Sequence, residues 1–512
     1  MKLATVAVSI CLSLVSLSSM AATAGPVVAT RAGAVRGSSG YPEVFRGIPY
    51  ATPPVGRLRW RPPLPPKPWA GIRDATRFGN DCMQAPWMVL SGVPFSEDCL
   101  SVNVWTPAHG VGERRAVLVF IYGGGFIGGS GAYALYDGAP LTREGVVVVS
   151  FNYRLGVLGF LAHPGLAAES PRHASGNYGL QDQIAALQWV HDNIAAFGGD
   201  PQRVTIFGES AGAFSAAALL VAPKAKGLFR GAILQSGGLP RLNTQADSEA
   251  AGARLGADIA ALRRVPAEEL LKHNFDFFPH SSSDLMQGAF PDPTIDGDVL
   301  VEQPRDAFAR GAINPAFIVI GYNADEGAMF TPSDHPHTKA SYEAWVANGF
   351  GPFAAEVLRL SPAADDARAA AAMSAVLGDV VFNEPSRMMA RSAAKAGLVT
   401  YAYLFTKPLA NVPPAPWHSE EMRYVFGTLD SPGFVPFRPA ADAGDHILSR
   451  AMRRYWARLA MHGDPNGAGL PHWPAYDAKT DPYIEFGEPI RSGAGFRRSQ
   501  LDLAERFSNA AR

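Results

Sequence analysis

Residues 204–212 have the sequence Val-Thr-Ile-Phe-Gly-Glu-Ser-Ala-Gly, and this stretch decides the fold. A short β-rich run leads into Ser210, which has Gly208 and Gly212 two residues away on either side. The pattern G-x-S-x-G between a strand and a helix is typical of a nucleophile elbow, a strained turn that holds a serine hydroxyl clear of the sheet. Glycine suits such a turn because it has no Cβ atom where two backbone segments approach closely. The stretch therefore predicts a nucleophilic serine, and the alternative is a Gly/Ser turn without a role.

Apolar runs before and after this elbow have the composition of buried strands. They are continuous rather than alternating, which favours strands covered on both faces of a parallel sheet. The clearest helical pattern lies between them, from Leu180 to Phe197, and it stops at Gly198. Strands that alternate with helices predict a doubly wound α/β domain. The predicted strands are 116–121, 146–151, 203–207, 232–234, 316–320 and 401–405.

Two long segments depart from this alternation. Residues 245–308 and 331–398 have weak strand signals and contain alanine-rich helical stretches. We interpret them as helical insertions over the edge of the sheet that form a cap lining the pocket. A separate small domain is the alternative, but no linker-like composition supports it.

The charge balance of the chain argues against two classes of partner. Its 512 residues carry a formal net charge of −1. Nucleic acids and anionic membrane surfaces are bound through an excess of Lys and Arg, which this composition does not have. Apart from the N-terminal run, no segment has the pattern of a transmembrane helix. We therefore expect a small-molecule substrate, no nucleic acid, no membrane span, and a monomer.

A serine nucleophile needs a base and an acid that orients the base. In elbow hydrolases the chain order is serine, acid, histidine, so the acid should follow Ser210. Glu326 and its neighbour Asp325 both follow the predicted strand 316–320. The carboxyl ends of parallel strands are where such sheets place their ligands. Local sequence does not separate these two carboxylates.

His418 is the candidate base. It lies in a proline-rich loop, downstream of both carboxylates. Among the twelve histidines of the chain, His446 and His462 lie in or beside a predicted helix, where a surface or packing role is the default. His335 and His337 form a close pair, but no third ligand at suitable spacing accompanies them. We therefore expect no metal site and no cofactor.

Three successive glycines are candidate donors for an oxyanion. Gly123, Gly124 and Gly125 follow the predicted strand 116–121 directly and expose backbone N–H groups with no side chain in the way. Together with the N–H of Ala211, they would stabilise negative charge on a reacting oxygen. A phosphate-binding loop is excluded because no G-K-[ST] follows. A glycine turn without a role is the remaining alternative.

The first 24 residues predict a signal peptide. A lysine precedes an apolar run to about residue 17, and Ala22-x-Ala24 fits a signal-peptidase site. The run is too short for a spanning helix, and an uncleaved anchor is the alternative. We therefore expect an exported protein, periplasmic or secreted, whose mature domain comprises residues 25–512.

Export also determines the chemistry of the cysteines. Removal of Cys11 leaves Cys82 and Cys99. An even pair in an oxidising compartment is expected to form a disulfide. Two buried free thiols are the alternative.

Many further motifs occur in order along nearly the whole mature chain. They are Phe45–Ala51, Pro53–Arg59, Ser96–Leu100, Asn152–Gly156, Gly176–Gln183, Phe197–Pro201, Gln235–Gly237 and Gly463–Asn466. With these motifs the chain resembles the type-B carboxylesterase/lipase family, which includes cholinesterases, mammalian carboxylesterases and bacterial para-nitrobenzyl esterases. The resemblance implies an α/β-hydrolase fold, in which helices flank a mostly parallel central sheet.

The resemblance also implies roles for individual residues. In the family's motif G-x-x-x-D-E-G the glutamate is the catalytic acid, which matches Glu326. The family's histidine precedes a short segment that ends in V-F-G, which matches His418. The oxyanion donors and the first disulfide of the family match five further positions: Gly124, Gly125, Ala211, Cys82 and Cys99.

The expected activity is hydrolysis of carboxylic esters through an acyl-enzyme on Ser210. Lipase action on aggregated lipid and hydrolysis of amides, carbamates or lactones are alternatives with the same residues. A non-catalytic adhesion module of the neuroligin type is a further alternative, but such modules lack the nucleophile. Trp87 lies so close to Cys82 that it does not match the choline-binding tryptophan of cholinesterases, which argues against a choline ester.

Two more polar residues lie close to these motifs. Glu209, next to Ser210, is expected either to favour cationic groups or position water, or to be a structural hydrogen-bonded carboxylate. Ser236 is expected to support the position of the catalytic residues without contacting the substrate.

Overall fold

The computed structural model describes residues 25–85, 91–108, 110–238, 241–274, 293–314, 317–331, 338–408, 416–431 and 440–510. Their strands form one large sheet, a three-stranded sheet and a two-stranded pair. In chain order the strands are β1 (Val27–Ala29), β2 (Ala34–Arg36), β3 (Glu43–Pro49), β4 (Ile72–Asp74), β5 (Asp81–Cys82), β6 (Phe95–Ser96), β7 (Ser101–Thr106), β8 (Arg115–Ile121), β9 (Val147–Phe151), β10 (Gly199–Glu209), β11 (Gly231–Gln235), β12 (Phe317–Asn323), β13 (Thr400–Phe405), β14 (Pro482–Phe486) and β15 (Arg491–Ala494).

The large sheet is parallel through its centre. Its described strands have the order β15-β14-β13-β12-β11-β10-β8-β9-β7-β3. All neighbours from β14 to β9 pair in parallel. At the edges, β15, β7 and β3 run antiparallel to their neighbours. The carboxyl ends of β10 to β13 therefore lie side by side along one edge of the sheet.

Each of the six predicted strands overlaps a strand of this sheet, and the edge strands are additional. The additional strands β3 and β7 contain polar residues, so their sequences have no continuous apolar run that would identify them as strands. Asn103 of β7 is nevertheless buried, because its side chain donates to Ser150 Oγ at 3.0 Å and accepts from the N–H of Gly47 at 2.9 Å. A strand whose polar side chains have hydrogen-bond partners inside the protein can be buried without showing a hydrophobic pattern.

Helices cover the sheet. The predicted helix 180–197 is α4 followed by a 3₁₀ turn over Ile194–Phe197, and it ends at Gly198 with a φ of 78°. In chain order the described α-helices are α1 (Ala139–Thr142), α2 (Gly156–Phe160), α3 (Pro164–Glu169), α4 (Tyr178–Asn193), α5 (Ala211–Val221), α6 (Gln245–Gly252), α7 (Ile259–Leu262), α8 (Ala267–Leu271), α9 (Pro304–Ala309), α10 (Lys339–Phe350), α11 (Ala354–Leu360), α12 (Asp366–Gly378), α13 (Glu384–Lys395), α14 (Met422–Phe426), α15 (Ala443–His462) and α16 (Arg498–Ala510).

The described parts of both insertions are mainly helical. The first contains α6 to α9 and the second contains α10 to α13. Helices α10 to α12 share a small hydrophobic cluster with Leu503 of α16, beside the main core. The second insertion also reaches the main core through Phe382 and Met388. Within the described residues, no helix is both long enough and apolar enough to cross a membrane.

A buried ion pair joins the end of β9 to α4. Arg154 donates from Nε and Nη2 to the two oxygens of Asp182, both at 2.7 Å. Their side chains are 5% and 0% exposed. Loss of either partner would leave an uncompensated charge in the core, so the pair fixes α4 against the sheet.

Candidate active site

The turn after β10 has the geometry of a nucleophile elbow. Ser210 lies between the end of β10 and the start of α5, with φ 54° and ψ −125°. This left-handed backbone is strained for a residue with a side chain. A Cβ atom on Gly208 would lie 2.4 Å from the backbone of Gly212, and one on Gly212 would lie 1.9 Å from the carbonyl oxygen of Ile121. The glycines therefore allow the close crossing of strand and helix that holds Ser210 at the edge of the sheet.

His418 and Glu326 are joined by a short hydrogen bond. Nδ1 of His418 donates to Glu326 Oε2 at 2.6 Å, and both residues are buried. The other carboxylate oxygen accepts from Ser236 Oγ at 2.6 Å and from the N–H of Asn323. Since an ionised carboxylate only accepts, Nδ1 carries the proton. Three donors thus fix the carboxylate, and Ser236 holds it from the side opposite the histidine.

The neighbouring carboxylate points elsewhere. Asp325 accepts from Ser374 Oγ of α12. Its backbone N–H donates to the carbonyl of Pro416 at 3.0 Å, which draws the loop before His418 alongside. Of the two carboxylates that the local sequence left open, the structure brings Glu326 to the histidine.

Glu209 lies on the other side of the imidazole. Its Oε1 is 3.2 Å from His418 Nε2 and accepts a hydrogen bond from Ser419 Oγ. Nε2 itself has no hydrogen bond to any described residue, Ser210 included. The ring therefore lies between two carboxylates, one bonded to Nδ1 and the other in contact with Nε2.

Burial has the largest single effect on the pKa of His418, but the surrounding carboxylates together outweigh it. Burial lowers the pKa of the imidazole, but the charges of Glu209 and Glu326 raise it, and the resulting pKa is about 9. Burial raises the pKa of Glu209, against the effects of His418 and Ser419. Burial also raises the pKa of Glu421 to about 8, with contributions from the charges of Glu209 and Glu326. The pKa values of His418 and Glu421 therefore lie on the alkaline side of neutral, and each of these groups affects the pKa of the other.

Glu421 was not found by the sequence analysis. It is fully buried and accepts from Asn323 Nδ2 at 2.7 Å and from Gln235 Nε2 at 3.2 Å. Gln235 in turn accepts from Trp456 Nε1 at 3.1 Å. The sequence did contain one signal for it. Glu421 lies three residues after His418, a spacing that places two side chains on the same face of a helical turn.

The three amides of the candidate oxyanion hole, those of Gly124, Gly125 and Ala211, are free to bind a ligand. None of their N–H groups donates to a described residue. Gly124 and Gly125 have φ values of 107° and 59°, which favour glycine. Tyr122, just before the turn, is stacked on Tyr153 with ring centroids 4.6 Å apart. This stacking fixes the start of the glycine turn.

Aromatic rings form an apolar wall beside the histidine. The ring centroids of Phe382 and Phe330 lie 4.5 and 5.2 Å from that of His418. Phe214 of α5 is stacked on Phe382 at 6.4 Å. One face of the imidazole is therefore covered by apolar surface.

The remaining predicted residues divide into two groups. Cys82 and Cys99 form a disulfide, with Cα atoms 5.0 Å apart. Trp87, His335, His337 and the predicted signal peptide 1–24 lie outside the described residues. Among the residues that the structure does describe, no group of three or more His, Cys, Asp or Glu side chains is arranged to hold a metal ion.

The fold and the site define the class as an α/β hydrolase, with a serine elbow and a His–Glu pair at the carboxyl ends of neighbouring strands. More specifically, the chain belongs to the carboxylesterase family, whose model matches residues 24–504. Both the family and the fold predicted from the sequence are thereby confirmed, and the enzyme class is carboxylesterase.

Named relatives and solved structures agree with this assignment. Fumonisin B1 esterase of Sphingopyxis macrogoltabida is 43% identical over 493 residues, covering 93% of this chain and 91% of that protein. Para-nitrobenzyl esterase of Bacillus subtilis (strain 168) is 36% identical over 474 residues, covering 89% and 93%. A solved PNB esterase has a TM-score of 0.80 at 34% identity, covering 93% of this chain and 99% of that one.

Proposed function

We propose that the protein hydrolyses carboxylic esters with Ser210 as nucleophile, His418 as base and Glu326 as the acid that orients the base. The observation that carries the proposal is the 2.6 Å hydrogen bond from His418 Nδ1 to Glu326. Because that bond holds the proton on Nδ1, Nε2 is the nitrogen that can accept the proton of Ser210. The strained backbone at Ser210 and the membership of the carboxylesterase family support the same roles.

Acylation proceeds in two steps. Ser210 Oγ attacks the carbonyl carbon of the ester while its proton passes to His418 Nε2, and Glu326 stabilises the imidazolium. The carbonyl oxygen becomes an oxyanion that accepts hydrogen bonds from the candidate oxyanion hole. The bond to the alcohol oxygen then breaks, and the leaving alcohol takes the proton from Nε2.

Deacylation reverses these roles with water as the nucleophile. Water gives a proton to His418 Nε2 and its oxygen to the acyl carbon. Ser210 Oγ then leaves with that proton, and the carboxylic acid is released. Both halves require a hydrogen bond between Ser210 Oγ and Nε2, a contact that is often long or poorly aligned in a free enzyme and tightens in the substrate complex.

The names of the relatives provide a first set of substrates. One relative is named for fumonisin B1 and another for para-nitrobenzyl esters. The aromatic wall of Phe214, Phe330 and Phe382 favours an apolar group next to the ester bond. We therefore propose esters of these two kinds as the first candidates.

The test is a panel of p-nitrophenyl esters, a para-nitrobenzyl ester, fumonisin B1 and a triglyceride emulsion, measured on the wild type and on Ser210→Ala. The variant should lose at least about 10³-fold in kcat on every ester that the wild type cleaves. Ser392→Ala, a serine of α13 bonded to Met388, should keep the wild-type rates. Wild-type rates in Ser210→Ala would contradict the proposal, and activation by the emulsion over soluble esters would favour a lipase.

We also propose that the chain is exported and cleaved near Ala24. The N-terminal pattern supports this, and a disulfide between Cys82 and Cys99 is typical of oxidising compartments. Amino-terminal sequencing of the protein from a native producer should begin near Gly25, and a start at Met1 in the cytoplasm would contradict export.

A further inference from the structure

The turn of the candidate oxyanion hole is held at its far end by the side chain of Gln84. Nε2 of Gln84 donates to the carbonyl of Gly129 at 2.9 Å, and Oε1 accepts from the N–H of Gly129 at 2.9 Å. Gln84 is 1% exposed, so water does not compete for these bonds. We call this pair of hydrogen bonds the Gln84 clamp.

The next residue of the turn is held by the same segment. The carboxylate of Asp81 accepts from Ser130 Oγ and from Ser91 Oγ. Asp81 and Ser130 are both fully buried. Ser130 Oγ also accepts from the N–H of Ala132 at 2.9 Å. Two successive residues, Gly129 and Ser130, are therefore fixed by side chains from residues 81–84.

The turn needs this support because its own bonds are few. Inside the turn, the carbonyl of Gly124 accepts from the N–H groups of Ile127 and Gly128, each at 3.1 Å. Glycine has more backbone freedom than any other residue, so the directions of the Gly124 and Gly125 N–H groups depend on what fixes the residues around them. Tyr122 fixes the start of the turn, and the N–H of Gly156 holds its middle by donating to the carbonyl of Phe126 at 2.6 Å. The Gln84 clamp fixes its end.

The clamp is itself anchored to the main sheet. Residues 81–84 include Cys82, whose disulfide partner Cys99 lies two residues before β7 of that sheet. Nε2 of Gln84 also donates to the carbonyl of Cys82 at 3.1 Å. One path from the sheet to the oxyanion hole therefore runs through the disulfide, Gln84 and Gly129. A second begins at Ser150 of β9, whose Oγ donates to the carbonyl of Gly131 at 2.9 Å.

We propose that Gln84 is a positioning residue for the oxyanion hole, acting through Gly129, an inference that rests on the function proposed above. Loss of the clamp leaves Ser210 and His418 in place but lets the N–H groups of the glycine turn leave the position where the oxyanion forms. The effect falls on the transition state more than on substrate binding, because an oxyanion is a stronger acceptor than an ester carbonyl.

The experiment compares the wild type with Gln84→Met, which keeps the length of the side chain and removes its amide. Two readouts are taken, steady-state kinetics on a p-nitrophenyl ester and inhibition by a trifluoromethyl ketone, which forms an oxyanion on the enzyme. We expect kcat to fall about 10- to 100-fold while KM changes less than about 3-fold. The inhibition constant of the ketone should rise by the same factor as kcat/KM falls.

A second amide clamp in this chain offers a matched control. Asn466 donates from Nδ2 to the carbonyl of Trp473 at 3.0 Å and accepts from its N–H at 2.8 Å. It follows α15, whose Met461 carbonyl accepts from Arg230, the residue just before β11, at 3.0 Å. This clamp therefore lies at the amino ends of the strands, opposite the site. Asn466→Leu should lower the thermal midpoint without changing kcat or the inhibition constant.

Gln84→Asn, which keeps the amide but is too short to make both bonds, replaces Gln84→Met if the latter does not fold. Wild-type kcat and ketone inhibition in a folded Gln84 variant would overturn the inference, as would an equal loss of kcat in Asn466→Leu. Ser210→Ala is measured in parallel. If it is active, the proposed function fails, whereas an inactive Ser210→Ala beside a fully active Gln84 variant refutes the positioning role alone.

Discussion

Glu209 favours the protonated form of His418. Its carboxylate lies 3.2 Å from Nε2, the atom that must be unprotonated to activate Ser210 in the proposed mechanism. Because the pKa of His418 is raised from 6.5 to about 9, the neutral form becomes more populated as the pH rises into the alkaline range. We therefore expect kcat/KM for an uncharged ester to rise with pH, with an apparent pKa well above 6.5.

Glu209→Gln removes the negative charge that favours the imidazolium, so it should lower the pKa of His418 and move the rising limb to lower pH. Profiles of kcat/KM from about pH 5 to about pH 10 measure the shift. Glu420→Gln is the control, because Glu420 is a buried carboxylate that accepts from Trp417 and is not among the charges that raise the pKa of His418. This role would be contradicted if kcat/KM of Glu209→Gln rose at the same pH as in the wild type, or if Glu420→Gln showed an equal shift.

At the scale of single residues, the sequence predicts which residues belong to the site better than it predicts which of them form hydrogen bonds with each other. Local sequence could not separate Asp325 from Glu326, because adjacent side chains diverge and the one that reaches a histidine depends on a distant loop. In the structure, Ser374 holds Asp325 and Ser236 holds Glu326. Glu421 had no local signal of burial, because its partners Gln235 and Asn323 lie 186 and 98 residues away along the chain.

At the scale of elements, four neighbouring strands each deliver one residue to the site. Ser210 follows β10, Ser236 follows β11, Glu326 lies three residues after β12, and His418 lies beyond β13. This arrangement could be predicted from the sequence, since apolar runs identify parallel strands and parallel strands bring their carboxyl ends together. The edge strands could not be predicted in this way. For example, β15 (Arg491–Ala494) has almost no apolar residue, and its strand conformation depends on its pairing with β14.

The close crossing of β8 and α5 leads to a prediction for the substitution of Gly212. In Gly212→Ala the added Cβ would lie 1.9 Å from the backbone oxygen of Ile121, so α5 must move away from β8. We expect a loss of about 3 kcal/mol or more in stability and a loss of activity, because Ser210 and Ala211 move with the helix. Thermal unfolding and ester hydrolysis measure the two effects. In Gly112→Ala the new Cβ meets no atom within 4 Å, so that variant should match the wild type. Equal midpoints for the two variants would contradict the argument.

At the scale of the whole molecule, one continuous core joins both faces of the sheet, and two smaller clusters lie beside it. The main core follows from the apolar strands and from the helix 180–197, so the sequence predicts it. The cluster on α10 to α12 does not follow, because its members Tyr342, Val357 and Leu503 come from distant parts of the chain. Amphipathic helices show which face is buried but not which helix covers it.

The disulfide between Cys82 and Cys99 restricts the unfolded chain as a whole. It closes a loop of 17 residues, which corresponds to about 3 kcal/mol of stability in the chain-entropy model. Cys82→Ala combined with Cys99→Ala should therefore lower the free energy of unfolding by about 3 kcal/mol, measured by guanidinium denaturation with tryptophan fluorescence. Both cysteines are 2% exposed, so a reductant reaches the bond only once the protein opens. With dithiothreitol present during unfolding, the wild-type midpoint should fall to that of the double variant, whose own midpoint does not respond. A double variant with the wild-type midpoint under oxidising conditions would show that the bond contributes nothing to stability.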